Sequence, residues 1–452
     1  MTERGAVPDN GIAVEPREAQ RPTSLAARTP QAVAPGNRVS AVGAQAGFAS
    51  LPCGRRSAPP WRLPALHPLI FEGEKEKGIR AYPAPGKTKN TGGGALACYD
   101  RWANQGAQNA EEHVPGKTMK ALLLRKHGTL DDLEVVGDYP VPQVTEGHVV
   151  IRVRASSFNY HDVFTVKGMP GIKVPLPVVI GLDMAGEITE VGPGAGQWKA
   201  GDRVLVNPID KKRGLMGEML DGGMAEYCLV AADQLVAMPD GVSFEQAASL
   251  PVAYGTAHRM LVTHNTVKKG DRVLVLGASG GVGTGCVILA KLLGAEVIAC
   301  ASSEDKMRRL KELGADEVVD YSKVDWSKWA VEKYGKPQRR SFEGGVDVVV
   351  NFTGGDTWVP SLRCLKRGGK LLVCGATAGY DPKEDLRYVW SFELQIIGSN
   401  SFYDDNLSAL MQLIRQHKIA PVIDKVLPLE QAREGLRLIQ DREIFGKVVV
   451  TP

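Results

Sequence analysis

Two short runs hold the residue types whose spacing could do chemistry. In the first, Gly277-Ala278-Ser279-Gly280-Gly281-Val282-Gly283, side chains are absent where they would obstruct. At Gly280 a pyrophosphate can touch the main chain, and at Gly283 a helix can press on a strand. Residues Ala278, Ser279, Gly280, Gly281, Val282 and Gly283 then face a phosphate with the free N–H groups of a helix start. In the second run, Phe158-Asn159-Tyr160-His161-Asp162, Tyr160 and His161 each carry a proton that can be given up. Imidazole is the one better matched to neutral pH. The plainer alternative is that Tyr160 packs and His161 faces solvent.

The residues beyond the glycines indicate which dinucleotide. The strand Glu296-Val-Ile-Ala-Cys300 is followed by Ala301, where an acid is expected if both hydroxyls of an unmodified ribose are to be held. Ser302, Ser303, Lys306, Arg308 and Arg309 come next, and hydroxyls with cations suit a 2′-phosphate. NADPH is favoured over NADH. The competing reading makes Lys306, Arg308 and Arg309 an ordinary solvated helix face.

These groups need a scaffold, and its pattern is visible on both sides. From about residue 243 to 400, apolar strands alternate with amphipathic helices, through Asp347-Val-Val-Val-Asn, Lys370-Leu-Leu-Val-Cys-Gly and Leu394-Gln-Ile-Ile-Gly. That is the signature of an α/β chain with a doubly wound parallel sheet. Between Met119 and about Pro239, short strands separated by turn residues predict an irregular β domain. A helix at 406–417 and a closing strand, Phe445-Gly-Lys-Val-Val-Val, are expected to return to it. The division expected is 119–242 with 401–452 for catalysis, and 243–400 for the nucleotide.

Residues 1–118 do not fit this scheme. They are crowded with Pro, Gly, Ala and Arg and show no sustained period, so they cannot bury enough surface to offset their ordering entropy. They are read as a disordered or non-native extension, the body opening at Met119. The chain carries 55 Lys+Arg and 51 Asp+Glu, of which the extension holds 15 and 10. The basic excess therefore sits in the extension, and the body has no charge imbalance pointing to nucleic acid or a membrane surface. Glu3, Asp9, Glu15 and Glu18 argue against a transit peptide. Seven cysteines without Cys-x-x-Cys spacing fit a reducing, cytoplasmic setting.

With Ala-Gly-Glu-Ile-Thr-Glu-Val-Gly (185–192), Gly-Asp-Arg-Val (201–204), Gly223-Met-Ala-Glu-Tyr, Ala247-Ala-Ser-Leu-Pro, the glycine turn, Leu313-Gly-Ala-Asp, Gly368-Gly-Lys-Leu and Gly446-Lys-Val-Val-Val, residues 119–452 resemble the medium-chain dehydrogenase/reductase superfamily. The likeness is greatest to its zinc-free, quinone oxidoreductase-like branch. The resemblance implies a GroES-like catalytic domain and a Rossmann domain that binds NADPH. It implies Lys306 and Tyr321 as adenosine-phosphate contacts, Ser302 and Ser303 as further donors, and Thr256, Gly375, Ala376 and Ser399 around the nicotinamide.

Zinc-dependent members hold their catalytic metal on a Cys, a His and a second Cys. The matching positions are Asn159, Leu182 and Val252, and the stretch 207–222 has no cysteine for a structural zinc. No metal is expected. Without a Lewis acid, acceptors already electron-poor through conjugation are favoured: a quinone, an enone or an enoyl thioester. Asn159, Tyr160 and His161 would line the reacting side, either Tyr160 or His161 giving the proton. An acryloyl- or enoyl-CoA reductase is the alternative enzyme, with Lys211-Lys212-Arg213 as a candidate for the CoA phosphates. A non-catalytic NADPH-binding sensor is the alternative of another class. The strand at 394–398 is implied to pair between subunits of a homodimer.

Overall fold

The structure, a computed structural model, describes residues 117–452. Six strands form a parallel sheet in the order Glu317–Asp320, Glu296–Ala301, Arg272–Val275, Val346–Val350, Leu365–Val373 and Gln395–Gly398. The inner strands are apolar at nearly every position because both faces are covered. Val273, Val275, Val297, Ala299, Val348 and Val350 enter one core, with the helix Gly281–Leu292. The intervening Leu274, Leu276, Ile298, Cys300 and Val349 enter the other. The first strand in sequence lies mid-sheet, and the order reverses beside it. The reversal lies at the carboxyl ends of Arg272–Val275 and Val346–Val350, the place where such sheets generally take ligands.

The second sheet is built mostly from the earlier residues. Leu235–Ala237, Arg203–Val206, Asp183–Val191, His148–Ser157, Lys447–Thr451 and Ile423–Pro428 lie in line, and Tyr227–Ala231 also pairs with His148–Ser157. Leu133–Pro140, Thr118–Leu124 and Val178–Val179 form a small third sheet. The fold is the GroES-like β unit with a Rossmann-type α/β unit that the resemblance implied, and its sheets are the irregular β and parallel α/β arrangements that the sequence pattern predicted.

The closing strand does return to the earlier sheet, pairing Val449 with Ser157 and Val450 with Ser156. Just before it, the Gly446 N–H donates to Ser279 O at 2.8 Å, within the glycine turn. One segment thus ties the glycine turn to the second sheet.

Three boundaries differ from expectation. The helix placed at 406–417 spans Asp404–Arg415, because Asn406 is its third residue and accepts the Tyr403 N–H at 2.8 Å. Within the region expected to hold short strands, Val178-Val-Ile-Gly reads as one from its apolar residues, and only Val178–Val179 is a strand. The first strand opens at Thr118, one residue ahead of Met119. The rest of the extension, with Cys53 and Cys98, lies outside the described residues. Cys228, Cys286, Cys300 and Cys364 are buried, and burial pushes the Cys364 thiol up to about 12. No described helix is long and apolar enough to cross a membrane.

Candidate active site

The glycine turn follows the central strand. Gly277 takes φ +62°, a value that glycine adopts without strain. The helix Gly281–Leu292 then begins with Gly280 as its N-cap and no side chain capping it, so its first N–H groups are left for a ligand. The two glycines singled out from the sequence differ physically. A Cβ on Gly283 would lie 2.3 Å from Gly277 O and 2.6 Å from Ala278 Cα, so helix and turn are in main-chain contact there. A Cβ on Gly280 would meet only Gly277 O, at 3.6 Å. The space above Gly280 is open, as a pyrophosphate requires. Gly281 backs onto Lys447, and Ala278 is buried.

Next along the sheet, Ala301 is buried and its carbonyl accepts the Tyr321 N–H at 3.1 Å, bringing two strand ends together. Ser302 and Tyr321 are exposed there, and Ser303 and Lys306 half-buried. Two of these groups are already engaged. Ser303 Oγ caps the helix Glu304–Glu312 by accepting the Lys306 N–H. The Lys306 amine donates to Arg442 O at 2.5 Å, and burial draws its pKa below the ordinary lysine value against the pull of Asp424 and Glu443. The other two cations do not join the cluster read from sequence. Arg308 pairs with Asp305 and Glu312 along its own exposed helix, while Arg309 pairs with Asp424 at 2.9 Å and lies over the Phe445 ring. For Arg308 the solvated-face reading holds.

At the far strand ends, Gly375 is exposed, Ala376 half-buried and Ser399 buried. The Ser399 N–H donates to Val373 O, and its Oγ has no partner among the described residues. A buried hydroxyl with no partner is costly unless something else meets it. Thr256 is buried in the helical run 244–263, between π-helical turns at Leu250–Gly255 and Arg259–Thr263. Such turns recur at functional sites. The first of them follows from Pro251, which has no N–H, and from Val252, whose N–H donates to Asp183 Oδ1 at 3.0 Å.

Asp183 is the hub of the opposite wall. Its Oδ2 accepts from Asn159 Nδ2 at 2.8 Å, Lys447 Nζ at 3.2 Å and Ser157 Oγ at 3.2 Å. Lys447 Nζ also donates to Asn159 Oδ1 at 2.6 Å and Phe158 O at 2.7 Å. Asp183 and Lys447 are both buried, and burial pulls the lysine pKa down against the charge of its partner. The three positions that the resemblance matches to zinc ligands lie together, since Asn159 and Val252 both bind Asp183 and Leu182 precedes it. They carry an amide and two hydrocarbon side chains. No cluster of three or more His, Cys, Asp or Glu able to hold a metal occurs among the described residues.

Asn159 precedes the helix Tyr160–Lys167, and its N–H donates to Asp162 Oδ2 at 2.7 Å. Tyr160 stands edge-on to Phe164, with ring centroids 5.1 Å apart. His161 Nε2 lies 2.6 Å from Glu218 Oε2. Burial alone would lower the His161 pKa, but the hydrogen bond and charge of Glu218, with help from Asp162, raise it above the ordinary histidine value. Asp162 is fully buried with Oδ1 unpartnered among the described residues, and burial pushes its pKa up to about 7. Sequence reasoning does not single out Glu218. It is one acid in a loop with no periodicity, and only the chain path reveals its partner.

Two family models match the chain, alcohol dehydrogenase GroES-like domain over residues 145–240 and zinc-binding dehydrogenase over residues 281–416. A crotonyl-CoA reductase of Streptomyces avermitilis is 32% identical over 69% of this chain and 80% of its own length. A quinone oxidoreductase of Sus scrofa is 28% identical over 74% and 98%. Among solved structures, an NAD-dependent alcohol dehydrogenase matches with TM-score 0.68 and 36% identity, over 74% of this chain and all of that one. The 2-octenoyl-CoA carboxylase reductase CinF, in complex with NADP and 2-octenoyl-CoA, matches with TM-score 0.66 and 28% identity, over 75% and 88%.

Proposed function

The chain belongs to the medium-chain dehydrogenase/reductase superfamily, and on that premise we propose that it is an NADPH-dependent, zinc-independent reductase of conjugated carbonyl or alkene acceptors. It is an oxidoreductase of that superfamily; the cofactor, the metal independence and the acceptor are the proposal. The observation that supports it is the grouping of Asn159, Leu182 and Val252 around Asp183 beside the glycine turn, an amide and two hydrocarbon side chains at the positions the resemblance matches to zinc ligands.

Bound NADPH would supply a hydride, two electrons and one proton, to the electron-poor carbon of the acceptor. Gly280 and the uncapped helix start would hold its pyrophosphate, and Tyr321, Ser302, Ser303 and Lys306 its 2′-phosphate, Ala301 offering no carboxylate to repel it. Lys306 and Ser303 would exchange their present partners for the phosphate. Thr256, Gly375, Ala376 and the unpaired Ser399 hydroxyl would meet the nicotinamide half. Lys447 and Asp183 would keep Asn159 fixed on the reacting side, where orientation supplies what a metal would otherwise do.

Quinones, enones and enoyl thioesters share the required chemistry. The crotonyl-CoA and 2-octenoyl-CoA relatives favour an enoyl-CoA as a second, narrower reading. The test is loss of NADPH absorbance with panels of quinones, enones and short enoyl-CoAs, NADH serving as the control because of the NAD-dependent relative. Turnover with one panel assigns the acceptor. Tight NADPH binding with every panel silent replaces this proposal by the sensor reading. We further propose a cytoplasmic homodimer joined at the edge strand Gln395–Gly398, where Ile396 is exposed. A monomer mass by light scattering at micromolar concentration would refute the dimer.

A further inference from the structure

The acceptor needs a proton as well as a hydride, and the structure treats its two candidate donors differently. Tyr160 packs with Phe164 and against the apolar core containing Leu436 and Val448, and its hydroxyl has no hydrogen-bond partner among the described residues. His161 holds Glu218 through Nε2. Its Nδ1 has no partner among the described residues, and its side chain remains 31% exposed while that of Glu218 is 7% exposed. The imidazole is therefore anchored at one nitrogen and open at the other.

The loop that presents Glu218 is built to do so. Gly217 sits at φ +72°, and a Cβ there would lie 2.7 to 2.8 Å from the Gly181 main chain. The Gly217 N–H donates to Leu220 O at 2.7 Å and the Met216 N–H to Pro208 O at 2.8 Å. A tight turn thus rests against the backbone next to Leu182, with the carboxylate at its apex directed to His161. This is the stretch that, in zinc-dependent relatives, would hold the structural cysteines.

Resting on the reductase reading above, we infer that Glu218 is a positioning residue that orients His161 through Nε2, so that Nδ1 delivers the proton the reduced acceptor takes up. When hydride adds to the electron-poor carbon, the conjugated π pair moves to the carbonyl oxygen. The enolate or aryl oxyanion then takes the proton from Nδ1 at carbon or oxygen. The N–H bond breaks, a C–H or O–H bond forms, and His161 passes from imidazolium to neutral imidazole. Solvent restores the proton through the exposed side of the ring. The arrangement follows the rule by which a buried carboxylate fixes a histidine tautomer and favours its cation. Burial opposes the cation, Asp162 favours it when ionised, and Asp183 and Lys447 act in turn on Asp162.

A donor must be protonated, so turnover falls as pH rises through the His161 pKa. In Glu218→Gln the raising partner is gone while burial remains, and the alkaline limb moves to lower pH. The experiment pairs that pH profile with titration of the His161 imidazole by nuclear magnetic resonance in the nucleotide-free protein. Glu218→Gln is expected to lower the imidazole pKa and the alkaline limb together, with kcat at mildly alkaline pH falling on the order of tenfold and KM little changed. Glu218→Asp should restore the limb. His161→Gln should abolish it, and adding Glu218→Gln to that variant should then change nothing; if Glu218→Gln folds poorly, Glu218→Asp and His161→Gln, which keep a carboxylate at 218, still test the inference. An active enzyme whose limb and imidazole titration both ignore Glu218→Gln overturns the inference. Silence of the wild type on every acceptor instead overturns the reductase reading on which it rests.

Discussion

Replacing Gly280 and Gly283 one at a time by alanine separates two demands that lie three residues apart. Gly280 has φ −82° and ψ 178°, a backbone any L residue adopts, and its new methyl would have only Gly277 O near it at 3.6 Å. Alanine is a poorer N-cap than glycine, by up to about 1 kcal/mol. The stiffer unfolded chain returns about 0.4 to 1 kcal/mol. The nucleotide-free melting temperature should therefore move by no more than about 3 °C. Bound pyrophosphate, however, must retreat from the methyl, and NADPH affinity should fall at least about tenfold, or about 1.4 kcal/mol. Gly283→Ala reverses the pattern. Its methyl would sit 2.3 Å from Gly277 O and 2.6 to 2.7 Å from Ala278 main-chain atoms, so the helix must withdraw by about 1 Å. Backbone obstacles yield less readily than side chains, which puts the cost at about 3 kcal/mol, the upper part of the overpacking range. Melting curves without nucleotide and calorimetric NADPH titrations measure both quantities. If Gly280→Ala binds NADPH as the wild type does, the turn does not hold a pyrophosphate and the cofactor argument fails.

Other perturbations probe the remaining parts. Lys447→Met leaves Asp183 as a buried charge without its cation and should cost about 3 to 5 kcal/mol; an unchanged urea midpoint would show that the pair is not what fixes Asn159. Asp162 is held toward its neutral form, its pKa raised to about 7 by burial. The folded state thus binds this proton more tightly than the unfolded one, and stability is lost as pH rises from about 4 to 7, at about 1.4 kcal/mol for each pH unit or up to about 4 kcal/mol in all. Asp162→Asn should remove that slope, so the variant gains on the wild type in melting temperature between those pH values, and parallel curves would refute the assignment. Installing the missing ribose acid while removing the cation, Ala301→Asp with Lys306→Ala, should shift the NADPH to NADH preference toward NADH by at least about tenfold, read from the two binding constants; an unmoved ratio places the discriminating contact elsewhere.

Much of this architecture is legible in the residues themselves. The parallel strands declare themselves because burial on both faces demands apolar residues at successive positions, as in 346–350. The glycine turn does so because only missing side chains satisfy both the helix contact and the ligand. Charges are harder to place. Arg308 and Lys306 lie two residues apart on one helix, yet Arg308 faces its own acids while the Lys306 amine reaches Arg442 O. Spacing alone does not separate those outcomes. Lys447 belongs to a motif recognisable in sequence, but a lysine is ordinarily a surface residue; that its amine is buried against Asp183 depends on strands 264 residues apart. Glu218 is the extreme case, because its partner is set by a turn whose path comes from Gly217 stacking on Gly181.

The closing strand has a consequence for how the protein is made. Val449 joins Ser157, and Gly446 steadies the turn at Ser279, so both the second sheet and the glycine turn await the strand Lys447–Thr451. During synthesis the parallel sheet can assemble as its strands emerge, but these long-range pairings close late and carry a high entropic cost. A ribosome-bound chain lacking residues 446–451 would hold a formed sheet beside an unfinished site. On the proposed function, nucleotide capture would then depend on that strand, and truncation before residue 446 would silence the protein while leaving most of its fold intact.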